Sequence, residues 1–490
     1  MFITVLPIFF PVLAGLAMLD LKIESRKARE RYVLTVLAIT LALTLVVNFC
    51  FGGSRLTLCT FAGGLKIAFD TDKTAVFFTT VFSTVWLLVG VYSFEYLEHD
   101  REQNRFFAYY IASLGALLGV AYADNLVTLY SMFEAMSLLS YVLVIHERKP
   151  LSFTAGRKYI YYSLAGASLG LIAIFYFYRT GWDMSFVPGG TAPTGTQATP
   201  TLLIMVILSV VGFGCKAGMF PLHAWLPTAH PQAPAPASSV LSGLITKAGI
   251  IAIIRIVYFT VGADLLRGTF AQYVLLILSL LTIFMGSMLA YKEKIIKKRL
   301  AYSTVSNVSY VIFGLMLLNG RGIVGALLQV VFHALAKNVL FLCAGSFIHR
   351  TGKTNVADMT GMGYAMPKTM TCFSIAGLSL VGVPMTAGFV AKWYLAQGAL
   401  TKGSFDTANM LGFVGICVIM VSALLTAGYL VSVTAKAFFA NRSETSAERC
   451  ESGNKMIIPI AVLTAAVLIF GIYPAPVISR ATAIAESIIL

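Results

Sequence analysis

The chain has 490 residues, of which 58% are hydrophobic and only 12% charged, about half the charged share of an ordinary soluble domain. That deficit, with repeated apolar runs about 20 residues long, excludes a soluble enzyme and places residues 1–490 in a bilayer as one polytopic membrane domain. A formal net charge of +15 would point a soluble protein toward nucleic acid, but here the basic residues collect in loops and orient the spans, so membrane lipid and no nucleic acid is the expected surrounding.

Apolar runs bounded by charges or Gly/Pro clusters predict an all-α protein of about fourteen transmembrane helices. The first, Phe2–Leu19, lacks the basic leader of a secretory signal and reads as a span. Tyr32–Phe51, Ala75–Phe94, Phe106–Tyr122, Leu126–Ile145 and Tyr159–Tyr178 follow, and Gly189–Pro200 is expected to be a flexible external loop. Leu202–Leu222 and Ala237–Thr260 flank a Pro-rich stretch. Tyr273–Tyr291, Ala301–Leu318, Val324–Ile348, Thr369–Gly398, Leu411–Phe439 and Met456–Tyr473 complete the set.

Loops after odd-numbered spans, such as Lys22 to Arg31, Lys292 to Arg299 and Lys436 to Lys455, hold 23 of the 36 basic residues, against 8 in loops after even spans and the C-terminus. The positive-inside rule makes the odd loops cytoplasmic and predicts both termini outside; a prokaryotic-type plasma membrane is the expected location.

The chemistry sits inside the spans. Glu134 lies mid-helix, where a carboxylate costs about 2.5–3.5 kcal/mol unless paired, hydrated or protonated. Lys216, Lys247, Lys337 and Lys392 also fall in apolar spans. Four unpaired ammoniums would cost on the order of 12 kcal/mol, comparable with the whole stability of a fold, so they need partners or internal water. A lysine whose proton affinity follows a movable carboxylate is a proton-loading site. Lys216, nearest a helix break, is the one best placed to snorkel instead. His333 and Lys337, four residues apart, share a helix face, and histidine suits a relay.

His223 and His230 lie in the Pro-rich stretch, either lining a hydrated entrance or satisfying freed carbonyls. Arg255 either anchors its helix end or joins the relay. His99, His146 and His349, at span ends, are expected to be solvated. Ser303, Thr304, Ser306 and Asn307 cluster in AYSTVSNVSY and either hold water or bind helices together, the second being commoner. Seven scattered cysteines, without CxxC, support no iron–sulfur or zinc site. With no nucleotide or hydride-transfer motif, no cofactor is expected and no redox centre lies in this chain.

CKAGMFPLHAW in the seventh span and GVPMTAGFVAKWYL in the twelfth each join a proline to a nearby lysine. They stand five spans apart, and an odd shift inverts a tandem unit across the membrane. Two inverted five-helix repeats, residues 106–260 and 268–439, with broken helices seven and twelve, are the expectation.

The run KAGMFPLHAWLPTAHPQAPAPASSVLSGLITKAG, with FEAMSLLSY, AYSTVSNVSY, FHALAKNVLF and GVPMTAGFVAKWYL, closely resembles antiporter-like subunits of complex I, membrane-bound hydrogenases and Mrp-type cation/proton antiporters, over roughly Phe106 to Lys392. The resemblance implies a charged axis at mid-membrane. In it Glu134 and Lys216 form a pair, Lys247 lies on span eight, His333 and Lys337 connect, and Lys392 ends the axis. It implies related membrane subunits as partners, a hydrophilic redox arm in the redox-driven members, and protons or Na+ as the moved ions. Asn307 stands where some members carry histidine, and Lys392 where one complex I type carries glutamate, which brings the chain nearer the Mrp and hydrogenase types. The long lateral helix of the largest members is expected to be missing. The leading expectation is a proton-translocating subunit of a redox-driven complex. A Na+/H+ antiporter subunit without a redox partner and a structural membrane scaffold are the alternatives.

Overall fold

The computed structural model describes residues 2–21, 23–400, 407–439 and 449–489. Lys22, part of the basic stretch from Lys436 to Lys455, and residues 401–406 of the second expected repeat lie outside the described residues.

The expected all-α architecture is present. The chain opens with α1 (Leu6–Leu21) and α2 (Arg26–Cys50), then α3 (Lys73–Tyr96), α4 (Gln103–Tyr122), α5 (Leu126–Val144) and α6 (Pro150–Arg179). Between α2 and α3 an antiparallel hairpin, β1 (Arg55–Thr60) with β2 (Lys66–Asp70), was not anticipated from the sequence. Its only alternating signal is RLTLCT, too short to stand out beside apolar runs three times longer.

The middle of the chain is where regular helix breaks. α7 (Pro200–Ala217) ends at Gly218, whose φ of +80° closes the helix in the left-handed region. A cis Phe220–Pro221 bond follows, then the short α8 (Leu226–Gln232) and α9 (Ala235–Val261). α9 contains two π-helical segments, Leu241–Ile245 just before Lys247 and Arg255–Val261 at its end. Such segments are frequent at functional sites. Then come α10 (Phe270–Lys292), α11 (Ile296–Met316) and α12 (Gly320–Thr351). The second break separates α13 (Pro367–Val381) from α14 (Ala387–Ala399) at Gly382, again left-handed with φ of +92°. α15 (Thr407–Phe439), α16 (Asn454–Ile472) and the short α17 (Ala475–Ile488) complete the described fold.

Among the described residues, twelve helices are long and apolar enough to cross a membrane. Two of the fourteen expected spans fall short of that measure. α11 opens with IKKRLAYSTVSNVSY, and α13 and α14 are 15- and 13-residue pieces of one broken run. α9 and α12 are buried through their full apolar length, whereas α15 and α16 expose most of theirs. The core is therefore the pair of helices that carry Lys247, His333 and Lys337.

The loop beginning at Gly189 is more constrained than its composition indicates. The amides of Val187, Gly189 and Thr191 bond to the carbonyls of Phe259, Tyr258 and Thr260, carbonyls that the π-segment at the end of α9 leaves free. Close backbone contacts position the site. α6 and α7 cross at Gly166 and Gly212, where a Cβ on either would lie 2.5 Å from the other's carbonyl oxygen. That crossing sets Ser163 and Tyr159 beside Lys216. At Gly249 a Cβ would lie 2.5 Å from the Phe213 carbonyl and 3.3 Å from Lys216 Cβ, which brings α9 against α7.

Candidate functional site

The ionisable residues singled out by the sequence come together along the buried interior. Lys216 is 1% exposed and does not snorkel. Its ammonium turns inward and donates to Ser137 Oγ at 2.9 Å, Tyr159 Oη at 2.6 Å and Ser163 Oγ at 3.1 Å. The implied Glu134–Lys216 pair is not formed here. No ion pair reaches Glu134 among the described residues, and its buried Oε1 has no hydrogen-bond partner. Ser137, one step along α5 from Glu134, takes the lysine instead. None of Ser137, Tyr159 and Ser163 was singled out in the sequence; serines and tyrosines recur in most of the apolar spans, so only the α5–α6–α7 packing distinguishes them.

Lys247, also 1% exposed, lies on α9 with its Nζ 2.8 Å from His333 Nδ1 of α12 and 2.9 Å from the Ser242 carbonyl. Ser242 sits inside the first π-segment, where the widened turn presents that carbonyl to a lysine five residues on. His333 keeps its other ring nitrogen, Nε2, buried without a partner, one turn from Lys337. Lys337 donates to the Leu300 carbonyl at 2.9 Å and closely to Ser303 Oγ. AYSTVSNVSY thus ties helices together, the commoner of its two expected uses, and also supports a lysine. Ser303 holds Lys337, and Thr304 meets Ser242 at 2.6 Å. Ser306 joins Ser287, Ser422 and Tyr310 in a continuous hydroxyl cluster, and Asn307 bonds back to Ser303 O at 2.8 Å.

The Tyr310 ring lies 5.7 Å from Lys392 Nζ. Lys392, on α14, donates to the carbonyls of Leu380 and Val381 at 2.5 and 2.6 Å. These are the last carbonyls of α13, the negative end of that half-helix dipole.

The two histidines of the broken segment differ. His230 is fully buried, with both ring nitrogens unpartnered among the described residues and its ring 4.9 Å from Phe341. His223 is half-buried and stacks on Phe220 at 5.9 Å. Near His230, Lys297 at the start of α11 donates to the Ala233 carbonyl at 2.5 Å, a buried lysine that the sequence concealed within the basic run KKR.

Arg255 anchors its helix and takes no part in the axis. Its guanidinium grips Asp72 through both terminal nitrogens at 2.5 and 2.9 Å and lies over the rings of Phe259 and Phe186. Asp72 also caps α3 by accepting from the Ala75 amide. Next to it, in the α4–α5 connection, the Asp124 carboxyl is pushed up to about 6, chiefly by burial, with Arg55 pulling it down. Asp70, at the end of β2, is also raised by burial and then by Asp72.

At the other end, His146 is buried and bonds Asp100 at 3.0 Å, contrary to the expectation that it is solvated. Burial pushes the Asp100 carboxyl up, but the His146 bond and the Glu102 amide outweigh it and hold Asp100 below its ordinary range.

Residues 62–107 match the family described as NADH-ubiquinone oxidoreductase (complex I), chain 5 N-terminus. NADH-quinone oxidoreductase subunit N of Desulforudis audaxviator is 32% identical over 404 residues, 80% of this chain and 79% of that protein. A Na(+)/H(+) antiporter subunit of Alkalihalophilus pseudofirmus is 27% identical across 87% of this chain and 85% of its own length. Hydrogenase-4 component B of Escherichia coli is 31% identical over 80% of this chain and 60% of that protein.

Among solved structures, the membrane-bound sulfane sulfur reductase, an archaeal respiratory membrane complex, holds a chain with a TM-score of 0.84 at 21% identity, covering 100% of this chain and 98% of that one. The Mrp complex from Dietzia sp. gives 0.81 at 20% identity with the same coverage. At those identities the likeness is one of fold. Residues 123–419, more than half of the chain, match the family described as NADH:quinone oxidoreductase/Mrp antiporter, transmembrane, and this multi-pass membrane protein belongs to that family.

Proposed function

We propose that the chain is a proton-translocating subunit of a multisubunit membrane complex. In this reading protons move through Glu134, Lys216, Lys247, His333, Lys337 and Lys392, and His223 and His230 line a hydrated entrance. The observation that carries it is the 2.8 Å contact between Lys247 Nζ and His333 Nδ1 in a fully buried interior. An ammonium there donates to a neutral imidazole, and transfer leaves an amine and an imidazolium. The His333 Nε2 proton can then leave toward Lys337, so one proton enters and one departs without net accumulation of charge. Hydroxyl clusters on either side supply polar lining for water between these groups.

Fourteen crossings, with α7–α8 and α13–α14 as the broken members of two inverted repeats (106–260 and 268–439), belong to the same proposal, as do a prokaryotic-type plasma membrane and termini on its outer side. Relatives named as subunits of NADH-quinone oxidoreductase and hydrogenase-4 support coupling to a redox module. A second reading, Na+/H+ exchange without a redox partner, is favoured by the relative named as a Na(+)/H(+) antiporter subunit, which matches over 85% of its length.

The test is proton flux in liposomes containing the native complex, assayed with Lys247→Ala. Flux is expected to fall at least tenfold with the complex still assembled. Unchanged flux would leave the scaffold reading standing. Proton flux driven by a Na+ gradient, in a preparation free of redox subunits, would decide for the second reading.

A further inference from the structure

We propose that Ser137, Tyr159 and Ser163 form a neutral docking position for the Lys216 ammonium, an alternative to Glu134 one step away, and so act as positioning residues on the proton path. The inference rests on the reading above and names a second resting place for one of its carriers.

The count of hydrogens is the first argument. A protonated lysine has three N–H donors and no acceptor, and three hydroxyl oxygens meet it, at 2.9, 2.6 and 3.1 Å. A neutral amine has only two N–H groups and meets the third hydroxyl only by accepting from it, so the ammonium alone makes three charge-assisted bonds to these oxygens. The cage therefore favours the charged form without supplying a negative charge.

Proton direction is the second argument. Ser137 donates its own hydroxyl proton to the Phe133 carbonyl at 2.9 Å. Ser140 donates to the Met136 carbonyl at 2.6 Å, which leaves its oxygen to accept from Tyr159, also at 2.6 Å. With those protons committed elsewhere, the lone pairs of Ser137 and Tyr159 face the ammonium before it arrives, a preorganised set of dipoles. The Tyr159 ring packs edge-on against Trp225 at 5.0 Å, and Trp225 Nε1 donates to the Cys215 carbonyl at 2.8 Å, which ties the cage to the break that follows α7.

Reach is the third. Glu134 and Ser137 are three residues apart on one face of α5, about 4.5 Å along the axis. A lysine side chain spans that by rotamer change alone. Glu134, meanwhile, has no ion pair and a buried, unpartnered oxygen among the described residues, as expected of the site the lysine has left.

The experiment is the pH profile of proton flux for the native complex in liposomes, with Tyr159→Phe, Ser163→Ala, Ser163→Thr and Lys216→Ala measured together. Tyr159→Phe keeps the ring against Trp225 but removes one acceptor from the ammonium, so the alkaline limb of the profile should move about one unit toward lower pH. Ser163→Ala should move it less in the same direction, and Ser163→Thr, which keeps the hydroxyl, should restore it. If Lys216→Ala is inactive while Tyr159→Phe and Ser163→Ala keep the wild-type profile, the cage is overturned and the proton path survives. If Lys216→Ala conducts like wild type, Lys216 is not a carrier and both readings fall. Should Tyr159→Phe fail to assemble, the Ser163 pair alone decides.

Discussion

Lys216 and Lys392 each stand beside the break of a discontinuous helix, yet they are solvated by different parts of the protein. Side-chain hydroxyls from α5 and α6 hold Lys216, while two backbone carbonyls at the end of α13 hold Lys392. The contrast extends to the buried arginines. Arg255, in the first half, is gripped by the Asp72 carboxylate. Arg299, in the second, donates to the carbonyls of Glu293 and Tyr429 at 2.8 and 2.9 Å. Lys216 and Arg255 thus depend on side chains that a substitution can delete or a rotamer change can move. Lys392 and Arg299 depend on carbonyls that persist as long as the fold does. A proton carrier held by movable groups can change partners; one held by fixed carbonyls has a single resting state.

The sharpest way to break this comparison is at the arginines. Asp72→Asn leaves the α3 cap usable but strands a guanidinium that is 1% exposed. Removing one partner of a buried pair costs about 3–5 kcal/mol, and Asp72 is partly open to solvent, so about 3 kcal/mol is expected, read as lost resistance to denaturation in detergent. Arg255→Met removes the buried charge and leaves a carboxylate that water can reach, so it should cost less. Arg299→Leu frees only carbonyl groups and should cost about 1–3 kcal/mol. Equal losses from Asp72→Asn and Arg299→Leu would remove the distinction between the halves.

The lysines give the next largest effect, on transport. Arginine keeps the charge but replaces three donors on one nitrogen by a planar fork. Neither variant can release a proton, so flux should fall at least about tenfold in both, and they should differ in stability. Lys216→Arg should lower the melting temperature in detergent, because three hydroxyls converging on a point cannot all meet a fork, whereas Lys392→Arg should hold it, since two adjacent carbonyls suit a bidentate guanidinium. Melting curves beside the flux assay check the pair, and the reverse order of stability would place the adaptable site in the second half.

Much of this was legible in the sequence because burying charge in lipid is costly. Glu134, Lys216, Lys247, Lys337 and Lys392 stand out in apolar runs whatever the fold, and the Pro and Gly beside Lys216 and Lys392 mark helix breaks. What supports those charges was not legible. Tyr159 and Ser163 differ from dozens of other polar residues only by facing Lys216 across the Gly166–Gly212 crossing, which no local pattern announces. The open state of Glu134 was likewise hidden, because spacing along a chain cannot tell a formed ion pair from a broken one. Arg255 was undecided for a related reason, its partner lying 183 residues away. Lys297 was missed because a basic run at a span end ordinarily means solvated charge, and here one of its members folds inward onto Ala233.

The smallest effect tests whether side-chain pairing in the first half reaches the rim at the C-terminal end of α9. The Asp124 carboxyl, buried near Arg55, Asp70 and Asp72, is raised to about 6, whereas an unfolded aspartate titrates near pH 3.9. The folded state therefore holds a proton that the unfolded state has already released. The stabilisation is fully present below about pH 4 and is lost as pH rises through about 6. Asp124→Asn stays neutral throughout. It should match wild type in melting temperature at pH 4.5 and exceed it by a degree or two at pH 7.5. Arg55 Nε, 3.0 Å away on a half-exposed side chain, limits the gain, since an exposed pair contributes little. If Asp124→Asn instead melts below wild type at pH 7.5, the Arg55 pair outweighs burial, and the rim is held by charge in the same way as Arg255 and Asp72.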